Sequence, residues 1–361
     1  MLHSLTPALV STASLASAAF LVSPAAPGAL ASDQPAYHPA VGSLLEKRVS
    51  VEWSTELESS TSLYEEQEFD SKTSAETTSE SFTLVVRDEY IEQEAGVAVP
   101  TRTLRTYVEL AGLYDYDYRE LAEGGEAFQL RLHHQTPLEE QTHELRFHAD
   151  VGDWERRPHE EANAALLATP WEGSEEDLEF RFLLPEAAVE PGAEWALDPE
   201  RFARFALLLE HELGFRPVLE HEEAGLLPLT EDESERADDG PDYEVEGGAR
   251  ARWEGVRTEE ERRLGVLALE VELVVGQGWS QTDEEGDVFE SASSRRIDLE
   301  GEALWDLEGG HLHGLLLEGE LLVDDYFAIE AGQGAQRRRT ETREHSPGSL
   351  RLSVATARRE R

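Results

Sequence analysis

The sequence predicts a mainly β protein of the α+β class, in which one or two helices pack on a large curved antiparallel sheet or open barrel. The strongest indication lies in the last third of the chain. Small or apolar residues occupy alternate positions from Tyr243 to Gly255 and again from Ile297 to Leu307, with mostly charged residues between them. Alternation with a period of two is typical of a strand with one buried face and one solvent-exposed face. Both stretches contain Val or Leu, then Glu-Gly-x-Ala, then Trp.

The second stretch continues into a hairpin whose register follows from the burial pattern. The glycine-rich segment 309–311 marks the turn. A two-residue loop would bring glutamates onto the apolar face, whereas a three-residue loop keeps that face apolar. We therefore expect Trp305 opposite Leu315 and Gly301 opposite Gly319. Facing glycines in mid-strand indicate a sharp bend or the close approach of another element.

Shorter alternating runs predict further strands around Trp53, Leu84, Val108, Leu130 and Phe147. The segment 54–80 is rich in Ser, Thr and Glu, and it is compatible with long solvent-exposed strands or with a mobile excursion.

Two helices are predicted, one near 158–167 and one over 199–213. The second is the better marked, because Asp198 can cap it and Pro199 suits its first turn. Phe202, Phe205 and Leu209 then share one apolar face.

The domain organisation follows from composition. Residues 1–31 read as a signal peptide, since they carry no Lys, Arg, Asp or Glu and end in Ala29-Leu30-Ala31. Residues 32–45 are predicted to be a flexible lead-in and 46–229 an N-terminal β-rich region. The acidic stretch 230–242 is either a linker or a surface loop, and 243–361 forms the C-terminal hairpin region.

Charge restricts the partners. With Asp+Glu 77 against Lys+Arg 31, the formal net charge is −46, so nucleic acid is a poor partner and cationic molecules or divalent cations fit better. The segment 333–361 is basic, with eight Arg against three Glu. We expect it to fold back on the acidic body or to form an edge strand through Leu350, Leu352 and Val354, and a docking tail for an anionic partner is the alternative.

The expected location is the periplasm or the exterior, without a lipid anchor, because the chain has no Cys and hence neither a lipidated cysteine nor a disulfide. No segment after the leader is apolar enough to predict a transmembrane helix.

Motifs for catalysis are sparse. The sequence has no Gly-x-Ser-x-Gly elbow, phosphate-binding loop or zinc-protease motif. A hydrolase needs only two carboxylates, and the sequence does not single out a pair. Two acidic segments, 283–287 and 115–117, are weak candidates for calcium. No cofactor, metal site or catalytic residue is predicted.

The candidate ligand site is the inner face of the C-terminal sheet, where small residues leave room beside two tryptophans and below the predicted helix. The protein's own helix could fill the same space. The candidate ligand-binding residues are Gly247, Ala249, Ala251, Gly301, Ala303, Trp253, Trp305, Phe202 and Phe205.

The segment Leu184-Pro185…Pro191-Gly192-Ala193-Glu194-Trp195, followed by Gly247-x-Ala249-x-Ala251-x-Trp253 and by Leu299-x-Gly301, resembles uncharacterised exported bacterial proteins of unknown function. The architecture also resembles the curved sheet of bacterial lipoprotein carriers. This resemblance implies an envelope location and supplies no catalytic residues. We therefore predict an exported, non-enzymatic binding or envelope-associated protein that holds an apolar small molecule or lipid on its concave face. A carboxylate-dependent hydrolase and an acidic cation-binding protein are the alternatives.

Overall fold

The computed structural model describes residues 34–360 except 65–66, 71, 98, 123–124, 136–138, 150–152, 160–177, 205–215, 220–242, 283–286 and 332–337. Within these residues, fifteen strands join in one antiparallel sheet, which confirms the mainly β prediction. No helix in this part of the chain has the length and apolarity needed to cross a membrane.

The strands of the N-terminal half are β1 (Leu44–Glu56), β2 (Ser59–Tyr64), β3 (Gln67–Asp70), β4 (Ser74–Glu92), β5 (Arg102–Glu120), β6 (Ala127–Gln135), β7 (Thr142–His148) and β8 (Asp153–Pro158). Among the described residues, a 3-10 turn (Arg181–Leu183) and a helix, α1 (Pro199–Ala203), follow β8. The remaining strands are β9 (Glu194–Leu197), β10 (Arg216–Leu219), β11 (Glu244–Glu259), β12 (Arg262–Thr282), β13 (Val288–Asp306), β14 (His311–Ala331) and β15 (Arg338–Arg358).

Strand order joins the two halves of the sequence in one sheet. The order is β10-β6-β5-β4-β1-β15-β14-β13-β12-β11-β9, with β2 beside β15 and β7 beside β5. The predicted basic edge strand is therefore wrong, because β15 lies between β1 and β14. Its inward residues Leu350, Leu352 and Val354 are buried, so this strand has core on one face and partners on both sides.

The first predicted hairpin has the expected inner face. Trp253 pairs with Leu267 and Ala251 with Leu269, and all four side chains are buried. Apolar positions at every second residue therefore do point together into one core.

The second hairpin has the predicted inner face but not the predicted register. Ala303, rather than Trp305, pairs with Leu315, so the pairs from Ala303 to the far end of the hairpin are displaced by two residues, and Trp305 pairs with Leu312. The turn spans four residues, 307–310, and the Asp306 carboxylate stabilises it by accepting the backbone N–H of Gly309 at 2.7 Å. A bulge at His313 then adds one residue, and the even total shift keeps the same side chains inside.

Close approach at the central glycines is confirmed, although they do not face each other. Gly319 lies opposite Leu299, and a Cβ atom at Gly319 would stand 1.9 Å from the carbonyl oxygen of Asp298. A Cβ atom at Gly301 would meet the carbonyl oxygen of Leu316 at the same distance. Adjacent strands thus approach more closely here than a side chain allows, which is typical of a sharp sheet bend.

We expect Gly319→Ala to destabilise the protein by about 1–3 kcal/mol, because the new methyl group requires backbone movement in β13 or β14. Urea unfolding would measure the change. Gly276→Ala in β12 is the matched control, since nothing lies within 4 Å of its added Cβ atom. Equal stability of the two variants would contradict a tight bend at Gly319.

The predicted helices are only partly described. The Asp198 carboxylate accepts the backbone N–H of Glu200 at 3.0 Å, as the capping prediction requires, and α1 extends to Ala203. Residues 205–213, with Phe205, lie outside the described residues. Of the helix predicted near 158–167, Pro158 instead ends strand β8, and 160–167 are outside the described residues too. The leader 1–31 and the acidic stretch 230–242 are likewise not described.

The predicted flexible lead-in contacts the core from Gln34 onward. The indole N–H of Trp305 donates to the carbonyl oxygen of Ala36 at 2.9 Å, and Tyr37 is buried. The backbone N–H of His38 donates to the carbonyl oxygen of Gly310. This segment covers the end of the β13–β14 hairpin, so composition alone was a poor guide to its packing.

Candidate binding site

Most of the predicted ligand residues lie in the packed core. Ala249, Ala251, Ala303, Trp253, Trp305 and Phe202 belong to one buried cluster. Of the remaining three, Gly301 is half-buried, Gly247 is exposed with a φ of 116°, and Phe205 is not described. Their role in ligand binding stays a prediction.

The chain itself packs on this part of the inner face. Phe202 of α1 is buried and meets Phe182 edge-on, with ring centres 5.3 Å apart, and Leu183 is fully buried beside them. The sequence was compatible with either a ligand or the protein's own helix on this part of the inner face. In the structure, α1 and the 3-10 turn lie there.

A buried ion cluster lies at one end of the inner face and consists of Lys47, Asp88, Arg105 and Glu179. The Lys47 ammonium is 2.8 Å from a carboxylate oxygen of Asp88 and 2.8 Å from one of Glu179. Arg105 donates to both oxygens of Asp88, at 2.7 and 3.0 Å, and to Glu179 at 2.9 Å. Two positive and two negative groups thus neutralise one another, as buried charges require.

The ionisation of the buried ion cluster follows from this geometry. Burial alone would raise the pKa of Asp88, but the charges of Arg105 and Lys47 outweigh it and hold that pKa well below its ordinary value. Burial, followed by the charge of Glu179, raises the pKa of Tyr90, whose hydroxyl donates to Glu179 at 3.0 Å. All four charged side chains are at most 5% exposed, so the cluster offers no opening to a ligand.

The other end of the inner face contains a cavity of about 560 Å³, which we call the carboxylate cavity. It is lined by Trp53, Thr55, Leu57, Glu76, Thr78, Glu80, Tyr114, Leu132, His134, Ser293, Arg295, Val323, Asp325, Glu344 and Ser346. Apart from Leu57, which follows β1, these residues come from seven adjacent strands, β6-β5-β4-β1-β15-β14-β13, which would span about 29 Å in a flat sheet. The sheet must therefore curve strongly around the cavity.

A direct contact supports this curvature. The Arg295 guanidinium of β13 lies 5.7 Å from the ring centre of Trp53 in β1, although β14 and β15 separate the two strands. Three strand spacings in a flat sheet would amount to about 14 Å. The contact is also a cation–π interaction, so the cavity wall already holds one organic cation on an aromatic ring.

Glu80 organises one wall of the cavity. Its carboxylate accepts the indole N–H of Trp53 at 3.1 Å and lies 3.6 Å from His134 Nε2. The imidazole of His134 in turn meets Phe82 edge-on at 5.5 Å. These contacts hold the ring of Trp53 in place against the inner face.

The cavity wall around Glu344 is strongly acidic. Burial raises the pKa of Glu344, and the charges of Glu76 and Asp325 raise it further. A hydrogen bond from the Ser60 hydroxyl at 3.4 Å opposes this shift only in part. A raised pKa of a carboxyl group beside two other acids is typical of a local excess of negative charge around that group.

Sequence reasoning missed this cavity because its residues lie far apart in the chain. The available signal was the segment 54–80, whose serine, threonine and glutamate side chains belong to strands and include Glu76 and Glu80. The structure thus favours the strand interpretation of that segment for its described residues. The pairing of Trp53 with Glu80, and the place of Asp325 beside Glu344, depend on strand order.

The described part of the chain contains no group of three or more His, Asp or Glu placed to hold a metal ion. Of the two acidic segments, 283–286 is not described, and Asp115 accepts a hydrogen bond from Arg131 at 2.5 Å.

Comparisons with known proteins do not identify a family. No protein-family model and no curated protein matches the chain. Among solved structures, the chain resembles the secretin domain β-barrel of InvG from the Salmonella SPI-1 injectisome, with 7% identity over 89% of this chain and 64% of that chain and a TM-score of 0.15. This chain thus spans less than two thirds of the InvG chain.

Two further structures are similar over most of their length. Chicken CD1-1 is 10% identical over 74% of this chain and 97% of its own, with a TM-score of 0.10. The P. putida toluene transporter TodX is 10% identical over 86% of this chain and 89% of its own, with a TM-score of 0.11. At these TM-scores, neither structure indicates a fold or a function for this chain.

Proposed function

We propose that this protein is an exported, non-enzymatic binding protein of the cell envelope, and that it holds a cationic group of its ligand in the carboxylate cavity. The observation that carries the proposal is the charge of the cavity wall. Four carboxylates, those of Glu76, Glu80, Asp325 and Glu344, line it together with one guanidinium and one histidine. Export is proposed from the predicted leader alone.

The shape of the site supports binding of an organic cation rather than a bare metal ion. Ammonium and guanidinium groups bind favourably over aromatic rings. Trp53 already binds the Arg295 guanidinium in this way, and Tyr114 adds a second aromatic ring beside the carboxylates. A volume of about 560 Å³ suits a small organic molecule. The net charge of −46 would also raise the local concentration of cations around the protein.

The proposal predicts that neutralising either of the paired acids Asp325 and Glu344 weakens cation binding. Asp325→Asn or Glu344→Gln should each lower the affinity for butylammonium about fivefold, or about 1 kcal/mol, because one attractive charge is removed. Isothermal titration at low ionic strength would measure the affinity. Glu320→Gln is the matched control, since Glu320 is an exposed acid on the outer face of the same strand, β14.

The affinity should also depend on pH. Because the pKa of Glu344 is raised, this group is neutral at acidic pH and becomes a charged partner only as the pH increases. Cation binding should therefore strengthen with rising pH through that pKa, and Glu344→Gln should reduce the dependence. Butanol binding as tightly as butylammonium, or unchanged affinity in both acid variants, would contradict the proposal.

A further inference from the structure

From the strand register we infer that the ligand is an organic cation with an apolar body, because aromatic residues continue the inner face directly beyond the carboxylate cavity. This inference rests on the proposed function and adds the second half of the ligand. Three features of the sheet support it: the order of the cross-strand rows, the exposure of the aromatic side chains, and the same arrangement on the other flank of the cavity.

The carboxylate row comes first. Gln277, Ser293, Asp325, Glu344 and Ser60 are successive cross-strand partners on β12, β13, β14, β15 and β2. Cross-strand partners point to the same face of a sheet, so all five belong to the inner face. Asp325 and Glu344 are the two acids that this row contributes to the cavity.

An aromatic row lies two residues farther along each strand. It runs through Trp279, Ser291, Phe327, Thr342 and Ser62, which are again successive partners. Two residues of a strand correspond to about 7 Å, so this row lies beside the carboxylates on the same face. An apolar group joined to a cation by a short linker would span that distance.

These aromatic side chains are exposed although they point to the inner face. Trp279 is 50% exposed and Phe327 is 41% exposed. The next row outward adds Phe289, Ile329 and Tyr64, and Tyr64 is 37% exposed. An adjoining set of exposed large apolar side chains is typical of an interaction surface.

The opposite flank of the cavity has the same arrangement. Glu76, which lines the cavity, pairs with Tyr118 of β5, and Tyr118 pairs with Phe128 of β6. The rings of Tyr118 and Phe128 stack with their centres 5.0 Å apart, and Phe128 is 54% exposed. Carboxylates with neighbouring aromatic rings therefore occur on both sides of the cavity. The carboxylates match a cationic head group, and the rings match an apolar body.

The test compares three probes of graded chemistry: butylammonium, 4-phenylbutylammonium and neutral 4-phenylbutanol. Isothermal titration should give at least tenfold tighter binding of 4-phenylbutylammonium than of butylammonium. In Phe327→Ser this advantage should fall below threefold, while butylammonium binds as before. Leu316→Ser is the matched control, because Leu316 is a 37% exposed residue on the opposite face of the same strand.

The outcomes separate the two proposals. If both ammonium probes bind equally, and Phe327→Ser changes neither affinity, the apolar half of the inference is overturned and the proposed cation site stands. If neither ammonium probe binds, or if 4-phenylbutanol binds as tightly as 4-phenylbutylammonium, both are overturned. Phe327→Ser should fold normally because its side chain is exposed, and an unchanged melting temperature would confirm this.

Discussion

Arg105→Met should destabilise the protein by about 3–5 kcal/mol. The substitution leaves two carboxylates, Asp88 and Glu179, buried with only one positive partner, and an uncompensated buried charge is costly. Urea unfolding followed by far-UV circular dichroism would measure the loss. Arg48→Met in β1 is the control, because the exposed pair of Arg48 with Glu109 should contribute about 1 kcal/mol or less.

The pH dependence of stability provides a second readout of the buried ion cluster. The pKa of Asp88 is lower in the folded than in the unfolded protein, so its contribution is present above the unfolded pKa of about 4 and is lost as the pH falls below it. In Arg105→Met this carboxyl loses its main positive partner. The free energy of unfolding should therefore fall less between neutral and acidic pH in the variant than in the unsubstituted protein. If Arg105→Met and Arg48→Met had equal free energies of unfolding, the buried ion cluster would contribute no more to stability than the exposed pair.

Trp305→Ala should also cost about 3–5 kcal/mol, which is typical for removing a large aromatic side chain from a packed core. The Trp305 side chain is fully buried, and its indole N–H donates to the carbonyl oxygen of Ala36. The substitution therefore creates a cavity and leaves that carbonyl without its partner. Thermal and urea unfolding would both measure the effect.

Trp279→Ala is the natural comparison, since Trp279 is half exposed and its removal should change the free energy of unfolding by about 0.5 kcal/mol or less. In ligand binding the order of the two effects should be reversed. Trp279→Ala should lower the affinity for 4-phenylbutylammonium, whereas folded Trp305→Ala should bind it with the normal affinity. If loss of Trp305 were harmless to stability but abolished ligand binding, the site would lie at the small-residue face instead.

Strand identity and face were predictable because both depend on local alternation. The odd positions of β11 and β12 pack inward as their sequence indicates, and Gly301 and Gly319 mark positions of close backbone approach. Register was less predictable. The displacement by two residues arises from a four-residue turn at Asp306 and a bulge at His313. Because the total shift is even, the same side chains stay on the inner face, and the apolar pattern does not distinguish the two registers.

The candidate site was largely beyond prediction. Glu80 lies beside Trp53, and Glu344 beside Asp325, only because β4 pairs with β1 and β15 with β14. In a chain with 77 acidic residues, the few that are crowded together cannot be recognised from composition. The sequence also offered no way to see that Lys47, one of two lysines, lies between two buried carboxylates.

By itself, the sequence determined the mainly β class, the inward faces of the C-terminal strands and the acidic character of the surface. These properties follow from residue type and a period of two along one strand. Only the tertiary structure decided that the small-residue face is packed by the chain and that the cavity lies among the polar ends of seven strands. Strand order and sheet curvature bring together residues hundreds of positions apart, and no local pattern in the chain encodes those distances.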